Sequence, residues 1–391
     1  MKKVKTMVVL ILALIVISIY VPPAFAAVDN TEVTKASDIS SGAKAIDYIE
    51  DTDLCKYYKY TANESGYVNF TFERNDFSST DSPKWYISLY DARMNEICNH
   101  DAKNDAYITQ TVIVNKGTTY YLKVEGYNKD SVQMKYSMKA NYWAYPFVEE
   151  ENNDTATNAT KLADNEMFLG SIISTGDKDF YKITASKSGV YTIHFDRHDF
   201  TSTNTPSWYF TLYDSNMNQL FQAKSRDYKE GINFNYVLAK GKSIYIGIED
   251  YTDSVGETYE LKASFVAKTY IETEKNDSFS SADSMKTSTS YCGVLATDSD
   301  SDYFVFKAGK TGTYKASYSL VQDITYAHKI TVYDASRKKI KVSDKIYKNG
   351  AISFKAKKGK KYYVVVEHAD NGLFGGSTYG VMYKLKAAKK K

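Results

Sequence analysis

The sequence predicts an all-β protein built from three tandem antiparallel β-sandwich domains. Three observations support this prediction. Landmark residues recur at intervals of about 120 residues along the chain. Within each repeat, apolar residues alternate with polar ones, as in strands that bury one face. The chain also contains 36 Tyr against 5 Pro, a bias that favours strands.

Residues 1–26 are interpreted as a signal peptide that is cleaved on export. A lysine-rich start precedes an apolar run, Val8 to Val21, which is short for a bilayer span. Two prolines end that run, and Ala24-Phe25-Ala26 forms a small-x-small cleavage signal. The alternative is an anchor that stays uncleaved. We expect a secreted, extracellular protein, either free or associated with the cell wall, that meets the membrane only through this peptide.

The remaining chain divides into three units of similar length. Gly66, Gly189 and Gly312 are spaced by 123 residues, and Tyr-Asp pairs recur with nearly the same interval. The predicted domains are residues 27–144, 145–268 and 269–391, the last ending in a lysine-rich tail. Units of this size can each close a core, so they are whole domains. Because the connections are short, we expect the domains to sit like beads.

Alternating strands identify the residues that should fill the cores. In unit 2, Tyr191, Ile193 and Phe195 alternate with polar or smaller neighbours, and the other units repeat the pattern. The predicted core includes Phe70, Leu89, Ile193, Leu212, Ile246 and Val364.

Composition and motifs argue against several functions. Removing the signal peptide leaves 47 basic residues against 47 acidic ones, so nucleic acid is not an expected partner. None of the five histidines recurs across the repeats, and no hydrolase, metalloprotease or nucleotide-binding motif occurs. No catalytic residue is therefore assigned. Three cysteines remain, of which Cys55 and Cys98 either form a disulfide or stay free.

Units 2 and 3 each open with an acidic segment that an acidic loop follows some 20 residues later. Carboxylate and amide oxygens are the ligands that calcium takes, six to eight at a time. The alternative is a solvated acidic linker with Asn-Asp turns. The candidate ligands are Glu149, Glu151, Asn153, Asp154, Asp177 and Asp179 in unit 2, and Glu272, Glu274, Asn276, Asp277, Asp300 and Asp302 in unit 3.

Unit 1 departs from this acidic pattern. Val28 and Thr31 stand where unit 2 has Glu151 and Asp154, and Lys56 stands where unit 2 has Asp179. The sequence therefore predicts two calcium sites, in units 2 and 3, and none in unit 1.

The order of these motifs resembles a known family. Unit 2 reads Glu149-x-Glu151-x-Asn153-Asp154, then Asp177-x-Asp179-Phe180-Tyr181, then Gly189-x-Tyr191, and unit 3 repeats the series. This resembles the bacterial pre-peptidase C-terminal domain, a family that includes the collagen-binding domains of clostridial collagenases. The resemblance implies a jelly-roll-like sandwich that binds or positions rather than catalyses. It also implies calcium at the acidic segment and the later acidic loop.

Aromatic pairs offer a second, weaker candidate site. Trp85-Tyr86 and Trp208-Tyr209 lie on alternating strands, so one member of each pair should be core and the other could stack on a sugar or peptide. The alternative is that both Trp are core and both Tyr are ordinary surface residues. The leading hypothesis is a non-catalytic protein that binds an extracellular protein or polysaccharide. The runner-up is an accessory or targeting subunit of a secreted protease, and an enzyme with an unrecognised site is a third.

Overall fold

The computed structural model describes residues 29–51, 54–75, 84–102, 107–198, 206–227, 231–252, 254–297, 299–321, 327–369 and 380–391. The predicted signal peptide lies outside these ranges. Within them there is no α-helix, and the short 3-10 helices are Val33–Lys35, Lys129–Ser131 and Ser225–Asp227. No helix in these ranges is long and apolar enough to cross a membrane. The prediction of an all-β chain of tandem sandwiches is confirmed.

The first unit consists of two sheets, with strand orders β1-β3-β8-β5-β6 and β2-β9-β4-β7. All strand pairs are antiparallel except that the two-residue β1 pairs parallel with β3. The strands are β1 (Ser37–Asp38), β2 (Ala45–Asp47), β3 (Cys55–Thr61), β4 (Gly66–Arg74), β5 (Trp85–Tyr90), β6 (Glu96–Ala102), β7 (Tyr107–Val114), β8 (Thr119–Gly126) and β9 (Tyr136–Ala144).

The second unit repeats this arrangement, with strand orders β10-β12-β17-β14-β15 and β11-β18-β13-β16. Its one parallel pair again joins a two-residue edge strand, β10, to its neighbour β12. The strands are β10 (Thr160–Lys161), β11 (Met167–Ser171), β12 (Lys178–Thr184), β13 (Gly189–Arg197), β14 (Ser207–Tyr213), β15 (Gln219–Lys224), β16 (Ile232–Leu238), β17 (Ser243–Thr252) and β18 (Thr258–Ala267).

The third unit has the orders β19-β21-β26-β23-β24 and β20-β27-β22-β25. Its final strand, Val381–Lys389, takes up most of the segment predicted to be a basic tail. That prediction is corrected, because alternating Tyr383, Leu385 and Ala387 are buried and hold the segment in the sheet. The strands are β19 (Asp283–Ser284), β20 (Ser290–Leu295), β21 (Ser301–Lys307), β22 (Gly312–Leu320), β23 (His328–Asp334), β24 (Lys339–Val342), β25 (Asn349–Ala356), β26 (Lys361–His368) and β27 (Val381–Lys389).

Each unit has its own core between its two sheets, because alternate side chains of every strand point inward. All six residues predicted to be core are at most 2% exposed, which confirms the predicted faces.

The units contact one another through apolar clusters, so the expectation of separate beads is corrected. Ile113 of unit 1 packs with Val148 and Leu169 of unit 2. Val190 and Val237 of unit 2 form a similar cluster with Cys292, Val294 and their neighbours in unit 3. The last strand of the first unit ends at Ala144, and that of the second at Ala267. The domain boundaries placed at 144/145 and 268/269 stay predictions.

Candidate metal centre

The acidic segment of unit 2 connects the two sheets at the unit's entrance. The Glu149 amide donates to the Leu169 carbonyl of β11 at 3.0 Å, and the Asn153 carbonyl accepts from the Phe180 amide of β12 at 2.9 Å. Asn115 of unit 1 donates to the Glu149 carbonyl at 2.9 Å. The segment is therefore fixed to both sheets of its own unit and to the preceding unit.

Two carboxylates of unit 2 lie in the protein interior. Glu149 and Asp179 are fully buried. Glu149 accepts hydrogen bonds from the Ser171 amide at 2.6 Å and the Tyr181 hydroxyl at 3.0 Å. Tyr259 donates to the Asp179 carboxylate at 2.5 Å. Backbone and phenol donors thus orient these carboxylates, as the residues that support a metal site orient its ligands.

Unit 3 builds the same arrangement from its own residues. Glu272 and Asp302 are fully buried. The Tyr383 hydroxyl lies 2.9 Å from Glu272 and 2.5 Å from Asp302. Tyr303 donates its amide to the Asn276 carbonyl at 3.1 Å, as Phe180 does to Asn153 in unit 2. The two units therefore share one design at an offset of 123 residues.

Both sites contain buried oxygens that lack a donor. In each unit one glutamate, one asparagine and one aspartate present a side-chain oxygen that receives no hydrogen bond from the described part of the protein. The atoms are Glu151 Oε1, Asn153 Oδ1 and Asp179 Oδ1 in unit 2, and Glu274 Oε1, Asn276 Oδ1 and Asp302 Oδ1 in unit 3. A buried acceptor without a partner costs free energy, so three such atoms at equivalent positions are a place that could hold a metal ion, although the equivalent Asn30 Oδ1 of unit 1 also lacks a donor among the described residues.

The predicted ligands of unit 3 converge within ligand distance of one another. Carboxylate oxygens of Glu272, Glu274 and Asp302 lie within 4.8 Å of each other, and those of Glu274, Asp277 and Asp300 do the same. Glu274 belongs to both groups and connects them. Asn276 follows in the same segment with its unpaired oxygen.

The predicted carboxylates of unit 2, all of which the structure describes, lie near enough to interact electrostatically, but no three of them offer oxygens within 4.8 Å of one another, unlike those of unit 3. Asp177 accepts from the Ile173 amide at 2.7 Å, and the exposed Asp154 accepts from the Lys178 amide at 3.4 Å. Glu151, Asp154 and Asp177 line a cleft of about 830 Å³ between this site and the Asp91 turn of unit 1. A hydrated ion can reach the site through that cleft.

Without a cation, these carboxyls hold protons well above their usual pH range. Burial raises the pKa of Glu149 to about 8 and that of Asp177 to about 6. Burial also raises the pKa of Asp300 to about 7. The pKa of Asp179 and that of Asp302 lie well above the usual value, because burial is compounded by neighbouring carboxylates. The folded chain therefore gathers carboxyl groups where water cannot solvate their charged forms.

The donor set fits calcium. It consists of carboxylate and amide oxygens, and it offers several carboxylates around one position. Hard cations prefer such oxygens, whereas zinc and copper prefer nitrogen and sulfur ligands. Calcium accepts a flexible cage of many protein oxygens, whereas magnesium keeps most of its water.

A glycine opposite each site makes room for the tyrosine hydroxyls that bond the buried glutamate. A Cβ at Gly170 would collide with the hydroxyls of Tyr181 and Tyr259, and one at Gly293 would collide with Tyr383 and the Glu272 carboxylate. Unit 1 has Asp47 at this position of the repeat. A side chain from β2 thus supplies the carboxylate that the other units take from their linkers.

Lys56 gives a physical reason for the prediction that unit 1 has no calcium site. Its side chain is buried, and its Nζ lies 2.8 Å from Glu50 Oε1 and 4.0 Å from Asp47 Oδ1. The other Asp47 oxygen accepts from the Tyr58 hydroxyl at 3.0 Å. Because Lys56 aligns with Asp179, an ammonium group takes the place that a cation would take in units 2 and 3.

Sequence reasoning missed two contributors to these sites. Asp283 accepts from Asn276 Nδ2 at 3.2 Å and from the Thr273 amide at 2.6 Å, so it positions the segment in unit 3. The phenols of Tyr259 and Tyr383 contact the buried carboxylates. In the sequence, the signal for these residues was the spacing of the repeats, which aligns Asp283 with Thr160 and Tyr383 with Tyr259.

The aromatic pairs divide as the strand alternation predicted, with the Trp members inside. Trp85 and Trp208 are at most 1% exposed, so the ligand-binding role considered for them is corrected: no ligand can reach a filled core. Tyr86 and Tyr209 are half-buried on the outer faces and pack edge-on against Tyr127 and Tyr251. A ligand role for these tyrosines stays a prediction. All three cysteines, Cys55 among them, are free thiols.

No protein-family model matches this chain, and no curated protein matches it. Among solved structures, it is similar to the pre-peptidase C-terminal domain of a Bacillus anthracis collagenase, at 19% identity over 27% of this chain and 93% of that one, with a TM-score of 0.23. It is similar to tandem CBM51 modules of a Streptococcus pneumoniae family 98 glycoside hydrolase, at 8% identity over 57% and 83% of the two chains, with a TM-score of 0.21. A triple jelly roll from an archaeal virus matches at 9% identity over 88% and 80%, with a TM-score of 0.20. At these scores no property of those proteins is carried over, and the family resemblance stays a prediction.

Proposed function

We propose that this chain is a secreted, non-catalytic binding protein whose second and third sandwich modules are stabilised by calcium. The observation that supports the calcium sites is the recurrence of three donor-less buried oxygens in each of these units. Export is inferred from the N-terminal charge and hydropathy pattern. The ligand is an extracellular protein or polysaccharide.

Bound calcium would supply the positive charge that the buried carboxylates lack. Glu149, Glu151, Asn153 and Asp179 would hold it in unit 2, with Asp154 and Asp177 on the side facing the cleft. The set in unit 3 is Glu272, Glu274, Asn276, Asp277, Asp300 and Asp302. Stabilisation by a bound ion follows mass action, about 2.7 kcal/mol at a hundredfold excess over the dissociation constant.

Each proposed calcium site lies at a junction between two units, so bound calcium would affect how the units are arranged. Each acidic segment is the connection from the preceding unit, and it contacts that unit directly. Asn115 bonds the Glu149 carbonyl at 2.9 Å, and Lys275 lies 3.7 Å from Asp214 across the next junction. An ion that orders this segment would fix the direction in which successive modules present their faces to a long polymer.

Binding is tested with an array of glycans and extracellular matrix proteins probed in calcium and in chelator. The test protein is the double variant Asp179→Asn/Asp302→Asn. Its matched control is Asp130→Asn, which changes an exposed carboxylate in unit 1. We expect at least one polymer to be retained by wild type and by Asp130→Asn, and more weakly by the double variant. If no protein or polysaccharide is retained under either condition, the proposed binding function is wrong.

A further inference from the structure

The four-stranded sheet of unit 3 differs in charge from its counterparts in units 1 and 2. Its strands β20, β22, β25 and β27 contain five lysines and no acidic residue. Unit 1 has Glu73, and unit 2 has Asp196, where unit 3 has Ser319. Unit 2 also has Glu260 at the position of Lys384, and Glu260 accepts from the Tyr145 hydroxyl at the start of that unit. Unit 1 has Ser137 at that second position, so unit 3 alone has no acid at either position and a lysine at one of them.

The outward side chains of this sheet form a basic face. We define the basic face by Lys315, Ser317, Ser319, Lys384 and Lys386. The three lysines are exposed, and none is within ion-pair distance of a carboxylate in the part of the chain that the structure describes. These five residues line a shallow groove of about 460 Å³. The positive charge of this face is therefore available to a ligand.

Strand register sets the spacing of these groups. Lys384 and Lys386 lie two residues apart on one strand, about 7 Å along it. Ser319 and Ser317 are their direct partners on the neighbouring strand. Lys315 continues the line of serines, two residues from Ser317 on β22. The face thus presents ammonium groups beside a row of hydroxyl donors, with small side chains that let a thin chain approach the sheet.

We infer that the basic face binds a linear phosphodiester polymer with short polyol units, of the poly(glycerol phosphate) type. Such a chain carries one negative charge per short repeat. The distance between its successive charges matches the distance between lysines two residues apart on a strand. Its phosphate oxygens accept from lysine ammonium groups and serine hydroxyls, and it has no bulky ring to exclude it from a shallow groove. This inference rests on the proposed binding function and names its substrate class and surface.

The test is calorimetric titration of the mature protein with deacylated poly(glycerol phosphate) at low and at physiological salt. Lys315→Gln/Lys384→Gln/Lys386→Gln removes the charge of the face. The matched control, Lys338→Gln/Lys339→Gln/Lys341→Gln, removes the same charge from exposed positions at the edge of the other sheet of unit 3. Native-state hydrogen exchange at amides of β21 and β26, which belong to unit 3 alone, establishes that unit 3 is folded in both variants.

Each exposed ion pair contributes only modestly to the binding free energy, and the face variant loses three of them. We therefore expect it to bind the polymer at least tenfold more weakly than wild type, and the control variant to stay within twofold of wild type. The slope of log affinity against log salt should fall by about 2, because each phosphate that a lysine no longer neutralises lowers it by about 0.7.

Equal weakening in both variants would overturn the inference, and so would hyaluronate binding as tightly as the phosphate polymer. If wild type binds another polymer on the array and the face variant binds it equally well, only this inference fails. If wild type binds nothing, the proposed function fails with it.

Discussion

Replacing Lys56 with Met should destabilise unit 1 by removing its built-in cation. The Lys56 side chain is 2% exposed, whereas its partners Asp47 and Glu50 are 14% and 32% exposed. Removing one partner of a buried ion pair costs about 3–5 kcal/mol, because the remaining charge stays buried. Glu50 can regain water at its exposed edge, so we expect the lower end, about 3 kcal/mol.

The assay is native-state hydrogen exchange of the mature protein, read at amides of β3 and β8, which belong to unit 1 alone. Lys59→Met is the matched control, since Lys59 and Asp38 form an exposed pair at 3.8 Å. Such pairs contribute less than about 1 kcal/mol. A loss of stability in Lys56→Met no larger than in Lys59→Met would refute the idea that this ammonium balances buried carboxylates.

Three further predictions concern the core, the pH response and the junctions. Leu212→Ala should cost unit 2 about 2–5 kcal/mol in urea unfolding, since Leu212 is fully buried, and a loss below about 0.5 kcal/mol would be inconsistent with that burial. Burial raises the pKa of Glu149 to about 8 and that of Asp300 to about 7, so the metal-free folded state binds protons that the unfolded state releases. The stabilisation that comes from this proton binding is complete below about pH 4 and is lost as pH rises through 7 to 8. In chelator, the melting temperature should therefore fall between pH 5 and pH 8. A rise in melting temperature over this range would contradict the raised pKa values. Leu169→Asn places an unpaired amide in the cluster with Ile113 and should split calorimetric melting of units 1 and 2 into separate transitions, whereas unchanged joint melting would show that this contact does not couple them.

The fold and the metal ligands could be predicted from the sequence because both depend on local patterns repeated along the chain. Alternation alone placed Ile193 and Leu212 inward, since a strand has a period of two. The acidic ligands were visible because Glu149 and Glu272 recur at one offset.

The rest depends on contacts between distant segments. The sequence shows that Lys56 replaces Asp179. Its partner Asp47 comes from a strand position where the other units have glycine, so the ion pair could be recognised only in the structure. The lysines read as a tail alternate with Leu385 and Ala387, a period of two that their position at the chain end obscured. The apolar clusters between units involve Val190 and Ile113 on outward faces, where strand alternation gives no indication of a neighbouring domain.

The most direct test of the account is calorimetric titration of the metal-free mature protein with calcium. The account predicts two sites, one in each of units 2 and 3. Asp179→Asn should remove one site and Asp302→Asn the other, while Asp130→Asn leaves both. Binding should weaken as pH falls from 8, because protons then compete for the same carboxylates. No detectable site, a third site in unit 1, or two sites retained in both single variants would contradict the account.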